Sequence, residues 1–197
     1  MPIKRLSQTS LASFQKHSNL LAGNPAFNPN SFDLLETTLI STNTASVTFS
    51  NLNNYSDYKH LQVRVTGRVS TTQFDTQIRV RLNADSGSNY AFHTLFGSGS
   101  SVSSSASTSQ TSGRLGFFPD ANQTANIFGA LVFDLLDFAS ANKTTTIRSF
   151  SGQAGTNNSV NLNSTLWNNT AAVTSLTVLP LTGNFVSGSR LSLYGIK

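Results

Sequence analysis

The sequence predicts an all-β protein: a jelly-roll-like antiparallel β-sandwich with an N-terminal arm that is extended or partly helical. Apolar and polar residues alternate through many short segments, as expected when one face of each strand is buried. Clusters of Ser, Gly and Asn separate these segments at intervals of about 8–12 residues, which is typical of sandwiches and barrels. No period of about 20–50 residues repeats, which argues against a solenoid or a propeller.

The composition fits one folded domain with few charges. The chain has 197 residues, of which 11% are charged, and its formal net charge is +5. Nucleic-acid binders usually concentrate Lys and Arg in a patch interleaved with aromatic residues, so nucleic acid is not an expected partner. Cys is absent, and we expect no signal peptide and no membrane span. The protein is expected to stay in the cytosol of the cell that makes it, or to enter a particle assembled there.

Residues 1–31 are predicted to be an anchoring arm, and residues 32–197 to be the β-sandwich domain. The apolar residues of the arm recur at roughly helical spacing, and they are Ile3, Leu6, Leu11, Phe14 and Leu21. Gly23-Asn24-Pro25 would end such a helix. The segment is too short and too polar to fold alone, so its apolar residues need a surface. That surface is a different protein, a sister subunit or the body of this chain.

The sandwich is expected to contain eight to ten strands. They are drawn from segments 34–40, 45–49, 61–69, 78–82, 90–96, 127–138, 143–150, 160–167, 173–179, 183–186 and 190–196. The most apolar segment, 127–138, is predicted to be a central strand covered on both faces, although its last residues could form a helical turn. The stretch 97–113 is nearly pure Ser, Gly and Thr, and predicts a mobile loop that could contain an edge strand.

The clearest alternation runs over residues 58–83 and predicts two strands joined as an antiparallel hairpin. Its polar side would form a candidate basic contact face made of Arg64, Arg68, Arg79 and Arg81. In this register Arg64 would lie opposite Arg81, and like charges directly opposite each other destabilise a sheet. We therefore expect either solvated arginines or arginines offset by a carboxylate, a partner subunit or an anionic surface.

No catalytic or metal-binding constellation is apparent in the sequence. Asp134 and Asp137 would point to opposite faces of a strand, whereas a glycosidase needs two carboxyl groups flanking one bond. The histidines lack the spacing of metal ligands. We therefore expect no catalytic residue, no cofactor and no metal. Trp167 could stack on a glycan or fill the sandwich core, and we favour the core.

Several phrases of the sequence together resemble one group of proteins. They are 58–65 (YKHLQVRV), 85–91 (DSGSNYA), 134–140 (DLLDFAS), 166–176 (LWNNTAAVTSL) and 190–197 (RLSLYGIK). The group is virion structural proteins of tailed phages, particularly cyanophages, of the capsid-decoration or tail-fibre type. The resemblance covers residues 34–197, and its motifs identify a module rather than a catalytic signature.

The resemblance implies a β-sandwich that assembles, usually as a trimer, on the outside of a phage particle. It implies a non-enzymatic decoration (cement) protein that binds the major capsid protein, or another virion protein, and stabilises the shell. The alternative that it implies is a receptor- or glycan-binding module of a tail fibre. In either case the expected location is the virion, after synthesis in the host cytoplasm. Copy number per particle separates the two, because decoration proteins far outnumber fibres.

Overall fold

The computed structural model describes residues 32–73, 75–155 and 158–197. They belong to one compact unit, Phe32–Lys197. The predicted anchoring arm lies outside the described residues, and so do its five apolar residues, Ile3, Leu6, Leu11, Phe14 and Leu21. The arm and its boundary with the sandwich therefore stay predictions.

The described residues form twelve strands and one short 3₁₀ turn, Leu52–Tyr55. The strands are β1 Phe32–Leu39, β2 Val47–Phe49, β3 His60–Gly67, β4 Asp75–Leu82, β5 Tyr90–Ser98, β6 Ser101–Gln110, β7 Gly113–Pro119, β8 Gly129–Leu135, β9 Thr145–Gln153, β10 Ser159–Trp167, β11 Leu176–Pro180 and β12 Arg190–Ile196. The all-β prediction is confirmed. Strand β7 was not predicted, because Gly113 and Gly116 interrupt its apolar pattern.

The strands form two antiparallel sheets. One sheet has eight strands in the order β1-β12-β3-β8-β9-β10-β5-β6, and the other has four in the order β2-β11-β4-β7. Most connections pass from one sheet to the other, which is how two Greek keys wrap into a jelly roll. The hairpin β9–β10 is inserted in the larger sheet between β8 and β5. The jelly-roll-like sandwich is confirmed.

The core lies between the sheets and is built from the apolar side of each alternation. The buried apolar side chains of β3 are those of Leu61, Val63 and Val65, and those of β4 belong to Ile78, Val80 and Leu82. The two strands and their buried faces were therefore predicted correctly. The hairpin that was predicted to join them was wrong, because β3 pairs with β12 and β8, whereas β4 pairs with β11 and β7. An alternating pattern looks the same for two paired strands and for two strands that face each other across a core about 10 Å thick.

Strand β8 occupies a central position in the larger sheet, as predicted, but it is not covered on both faces. Leu131, Phe133 and Leu135 are buried against the core, whereas Ala130 is exposed and Val132 is half-buried. A single sheet packs on this strand among the described residues, and only on its inner side. The residues after Leu135 form a turn rather than more strand.

The Ser- and Gly-rich stretch 97–113 is ordered into sheet. It supplies the end of β5, a turn at Gly99 with a φ of 56°, and the ten-residue strand β6. The predicted mobile loop was wrong, and the edge strand that it could contain is confirmed. The small side chains of β6 contribute little packing. The strand is held in place by backbone hydrogen bonds to β5.

Candidate functional site

Apolar side chains are exposed on the side of the eight-stranded sheet that points away from the core, which we call the outer face. Val132, Phe150, Leu162 and Leu95 lie directly beside one another on β8, β9, β10 and β5, and we call them the apolar row. Phe150, Leu162 and Leu95 are each about half exposed, at 48%, 50% and 47%. Single exposed apolar side chains are ordinary on protein surfaces, whereas a contiguous group indicates a binding surface.

Five of the ten large apolar side chains that are exposed among the described residues lie on the outer face of β9, β10, β5 and β6. Besides three members of the apolar row, they include Val160 and Val102, which lie one step along the strands. Val160 stands opposite Gly97 on β5, and Gly97 stands opposite Val102 on β6. The exposed apolar surface therefore extends from β8 to the edge of the sheet.

Strand β10 creates much of this surface because its polarity is reversed. Val160 and Leu162 are exposed, and the alternating Asn161 and Asn163 are buried. Asn163 is hydrogen-bonded inside the sandwich, where its Nδ2 donates to the carbonyl of Leu115 at 2.9 Å. Burying amides and exposing leucine both lower the stability of a fold. Departures of this kind are expected where a surface serves function rather than folding.

The sequence held a signal for this reversal that was missed. The segment 160–167 was correctly predicted as a strand, but a period of two does not show which side faces the core. Counting back in steps of two from Trp167, which was expected in the core, places Thr165, Asn163 and Asn161 inside. The same count places Leu162 and Val160 outside.

Two neighbouring grooves lie on the outer face and share Phe150. The larger has a volume of about 480 Å³, and its lining includes Arg64, Thr66, Val132, Phe150, Arg190 and Tyr194. We call it the basic groove. The smaller has a volume of about 250 Å³ and is lined mainly by Leu95, Gly97, Val102, Phe150, Val160 and Leu162. We call it the apolar groove. Together their linings span seven neighbouring strands, from β12 to β6.

Arg64 is held in the basic groove by neutral groups. The guanidinium carbon of Arg64 lies 4.7 Å from the ring centre of Tyr194 and 5.5 Å from that of Phe32. Its Nε donates to Gln62 Oε1 at 2.9 Å. Within the part of the chain that the structure describes, neither Arg64 nor Arg190 forms an ion pair. The groove therefore presents positive charge that no described carboxylate neutralises.

The carboxylate of Asp134, on the same face, is already engaged. It accepts from Gln62 Nε2 at 2.8 Å and from a terminal nitrogen of Arg148 at 3.1 Å. This ion pair occupies the row next to the apolar row, on the side away from Arg190. The outer face thus combines an apolar centre, a neutralised polar border and an unneutralised basic end.

The predicted basic contact face does not exist as a unit, because its four arginines belong to different environments. Arg64 alone reaches the grooves. Arg68 is buried and donates to the backbone carbonyls of residues 123, 124 and 127, at 2.8, 2.7 and 3.0 Å. Arg79 is buried on the other sheet. Arg81 is half-buried there and donates to the carbonyl of Thr111 at 3.3 Å.

Like charges do meet across a strand pair, but at a different place from the one predicted. Arg79 stands opposite Arg114 on β7, and both guanidinium carbons lie over the ring of Phe92, at 5.2 and 4.4 Å. Burial, followed by the charge of Arg114, lowers the pKa of Arg79 to about 10. The aromatic ring and the carbonyl of Ser112, 3.4 Å from Arg79, offset part of this repulsion. The pair is explained by internal packing.

Trp167 fills the core and is only 1% exposed, so its ring has no face to offer a glycan. The predicted core position is confirmed, and the candidate glycan contact at Trp167 was wrong. Its Nε1 donates to Asp85 Oδ2 at 2.7 Å. That hydrogen bond, together with those from the Asn89 amide and the backbone of Gly87, lowers the pKa of Asp85. Asp85 therefore organises a turn.

The carboxyl group of Asp137 serves local contacts. Asp137 pairs with Lys143, which lowers the pKa of this carboxyl group, and lies 3.5 Å from His60 Nδ1. Across residues 32–73, 75–155 and 158–197, no three side chains of His, Cys, Asp or Glu are grouped to hold a metal ion. The same residues contain no helix that is long and apolar enough to cross a membrane.

Comparisons with known proteins do not assign this chain to a family. No protein-family model matches the chain, and no curated protein matches it. Among solved structures, the chain is similar to the crystal structure of the galectin LEC-6 from Caenorhabditis elegans. The TM-score is 0.31 and the sequence identity is 9%, over 85% of this chain and 96% of that chain. A likeness at this level carries no information about what the chain binds.

Proposed function

We propose that this chain is a non-enzymatic structural protein of a phage virion, and specifically a capsid decoration protein. In this role it binds the major capsid protein, or another virion protein, through the outer face and stabilises the shell. The observation that carries the proposal is the exposed apolar row, built partly on a strand whose polarity is reversed. The phage assignment itself rests on the sequence resemblance over residues 34–197.

The outer face is suited to a protein partner. Its exposed apolar side chains would leave water on binding, and each fully buried side chain contributes about 1.5–3 kcal/mol. The ion pair of Asp134 and Arg148 borders the apolar row, as polar residues border the apolar centre of a typical protein interface. Because a decoration protein is present in many copies on one particle, modest affinity per contact is sufficient.

Self-association, expected as a homotrimer from the resemblance, is part of the proposal. Edge strand β6 supports it, because the strand is ten residues long and contains no charge and no proline. Natural proteins usually protect exposed edges with such residues. An unprotected edge favours pairing with another strand, and the mass of the intact assembly would show how many copies associate.

The alternative is a tail-fibre or receptor-binding module that contacts glycans. Trp167 and Tyr90, the two aromatic residues that could have stacked on a sugar, are each only 1% exposed. A glycan would need another aromatic platform, and the basic groove offers Phe150, which is about half exposed, and Tyr194, which is partly buried. Copy number still separates the two functions.

The test of the proposal measures copy number and surface dependence together. We expect purified particles to carry this protein at a stoichiometry comparable to that of the major capsid protein, as measured by quantitative protein staining. Phe150→Ser with Leu162→Ser should weaken binding to particles about thirtyfold, because roughly 2 kcal/mol of burial is lost. Leu181→Ser is the matched control, since Leu181 is also half exposed but lies outside both grooves.

Two results would overturn the proposal. A copy number as low as that of the tail fibres would assign the protein to the tail rather than to the capsid. Equal binding by the Phe150/Leu162 variant, the Leu181 variant and the unmodified protein would remove the outer face from the interface.

A further inference from the structure

We propose that the basic groove binds an acidic side chain of the partner, carried on an extended segment whose apolar residues continue into the apolar groove. This inference rests on the proposed function for the identity of the partner as a virion protein. It adds the chemistry that the partner segment must have: one carboxylate at one end and apolar side chains at the other.

The first step is the unused hydrogen-bonding capacity of Arg64. A guanidinium carries five N–H donors in a fixed fork that matches a carboxylate. Nε of Arg64 is bonded to Gln62, and within the described residues its two terminal nitrogens have no hydrogen-bond partner. Contact with Tyr194 and Phe32 holds the fork in place. A preorganised fork gives up less conformational entropy when it binds a carboxylate.

The second step is the position of Arg190. In the β12–β3 register Arg190 stands opposite Thr66, and Ser192 stands opposite Arg64. The two arginines are therefore diagonal neighbours on one face, at a spacing of about 7–8 Å between backbones. Both line the same groove. Two like charges at this spacing repel each other, and an acidic side chain bound between them would reverse that energy.

The third step is the character of the remaining walls, which favours a peptide over a sugar. Val132 and Phe150 line the basic groove, and the apolar groove that follows is lined mainly by aliphatic side chains. The hydroxyl of Ser192 is already paired with that of Thr37 at 2.9 Å. A sugar would bring many hydroxyls to walls that offer few free polar partners. An acidic peptide with apolar neighbours matches both grooves.

The fourth step is the distance between the two ends. Arg64 is on β3 and Leu95 is on β5, and four strand spacings separate them. At about 4.8 Å per spacing the span is roughly 19 Å, which an extended peptide covers in about six residues. The partner segment is thus expected to carry Asp or Glu about six residues from Leu, Val or Phe.

The test uses an immobilised array of synthetic peptides, with the full-length protein as the soluble partner. Each peptide carries Glu, Gln or Lys at one position and Leu or Ser at a second, at separations from three to nine residues in a Ser/Thr background. We expect the strongest binding for Glu with Leu at separations of five to seven. That binding should weaken as salt rises from 0.05 to about 0.5 M, because screening shortens the reach of the charges.

Variants assign the effect to the groove. Arg64→Gln with Arg190→Gln should lower binding to the Glu–Leu peptides at least tenfold. Arg81→Gln should leave this binding unchanged, because it also removes a positive charge but does so on the other sheet, away from both grooves. Arg64→Glu with Arg190→Glu should shift the preference from Glu to Lys peptides, a gain that misfolding could not produce. Three results would each overturn the inference. They are an equal loss of peptide binding with Arg81→Gln, binding that does not depend on the separation between Glu and Leu, and preferential binding of an acidic oligogalacturonate.

The outcome is separable from that of the proposed function. If the peptides bind as expected but particles lack the protein, the groove chemistry stands and the virion assignment fails. If particles carry the protein and the Arg64/Arg190 variant is incorporated at full occupancy, the virion assignment stands and this inference is wrong.

Discussion

At the scale of single residues, Trp167 and Asp85 show how a side chain proposed for binding can be needed for folding instead. The indole donates to a carboxylate that also accepts from the backbone of Gly87 at 2.8 Å and from Asn89 at 2.9 Å. The hydrogen bonds hold residues 85–89 in a turn and fix the orientation of the indole in the core. A tryptophan beside a polar loop therefore does not by itself indicate a sugar site.

The Trp167–Asp85 bond predicts a pH dependence. The pKa of Asp85 is lowered in the folded protein, so its contribution is present above the ordinary pKa of about 4 and is lost as pH falls through the lowered value. Trp167→Phe should therefore lose about 1 kcal/mol more stability at pH 6 than at pH 2. Urea unfolding at both pH values measures this difference.

A control isolates the carboxylate. In an Asp85→Asn background, Trp167→Phe should lower the free energy of unfolding by similar amounts at pH 6 and pH 2. The interpretation fails if the pH dependence of the loss is the same with Asp85 and with Asn at that position.

At the scale of elements, strand β10 buries polar side chains whose hydrogen-bonding groups in part lack partners within the portion of the chain that the structure describes, and this should lower the stability of the fold. Asn161 is fully buried, and neither amide atom of its side chain has a hydrogen-bond partner among the described residues. Gln153 and Ser159, which stand opposite each other beside it, also contain unpartnered buried atoms. An unsatisfied buried amide lowers stability by about 1–3 kcal/mol.

Two substitutions on the same strand should therefore have opposite effects. Asn161→Val should raise the free energy of unfolding by about 1 kcal/mol, equivalent to roughly 2–4 °C in Tm. Asn163→Val should lower it by about 1–3 kcal/mol, because it leaves the hydroxyl of Thr94 without its acceptor and the carbonyl of Leu115 with only the donor Ser149 Oγ. Thermal unfolding checks both. A loss of stability in both variants would contradict this account of Asn161.

The elements also show how far sequence reasoning reaches. Alternation identified β3, β4 and β10 as strands, because a period of two follows from backbone geometry. It did not assign them to sheets, because pairing depends on the whole chain. For the same reason Arg79 faces Arg114, on a strand that was not predicted, and Arg64 lines a groove built with three other strands. Of the described residues that were predicted to form a site, only Arg64 lines one of the two grooves.

At the scale of the whole molecule, the proposed binding surface and the predicted arm would give one chain two attachment points. The sandwich has its own core, which spans both sheets. The basic and apolar grooves are built entirely from its strands. A subunit with two attachment points binds a particle more firmly than either point alone, because the second contact forms at high effective concentration.

Deleting residues 1–23 separates these contributions. The truncated protein should retain its Tm within about 2 °C, because the core lies within Phe32–Lys197, and should still bind the Glu–Leu peptides. It should nevertheless fail to incorporate into particles, because one attachment point is lost. Replacing Leu6, Leu11 and Phe14 by Ser in the intact chain should have the same effect and controls for length. If the truncated protein incorporates at full occupancy, the outer face alone is sufficient and the arm has another role.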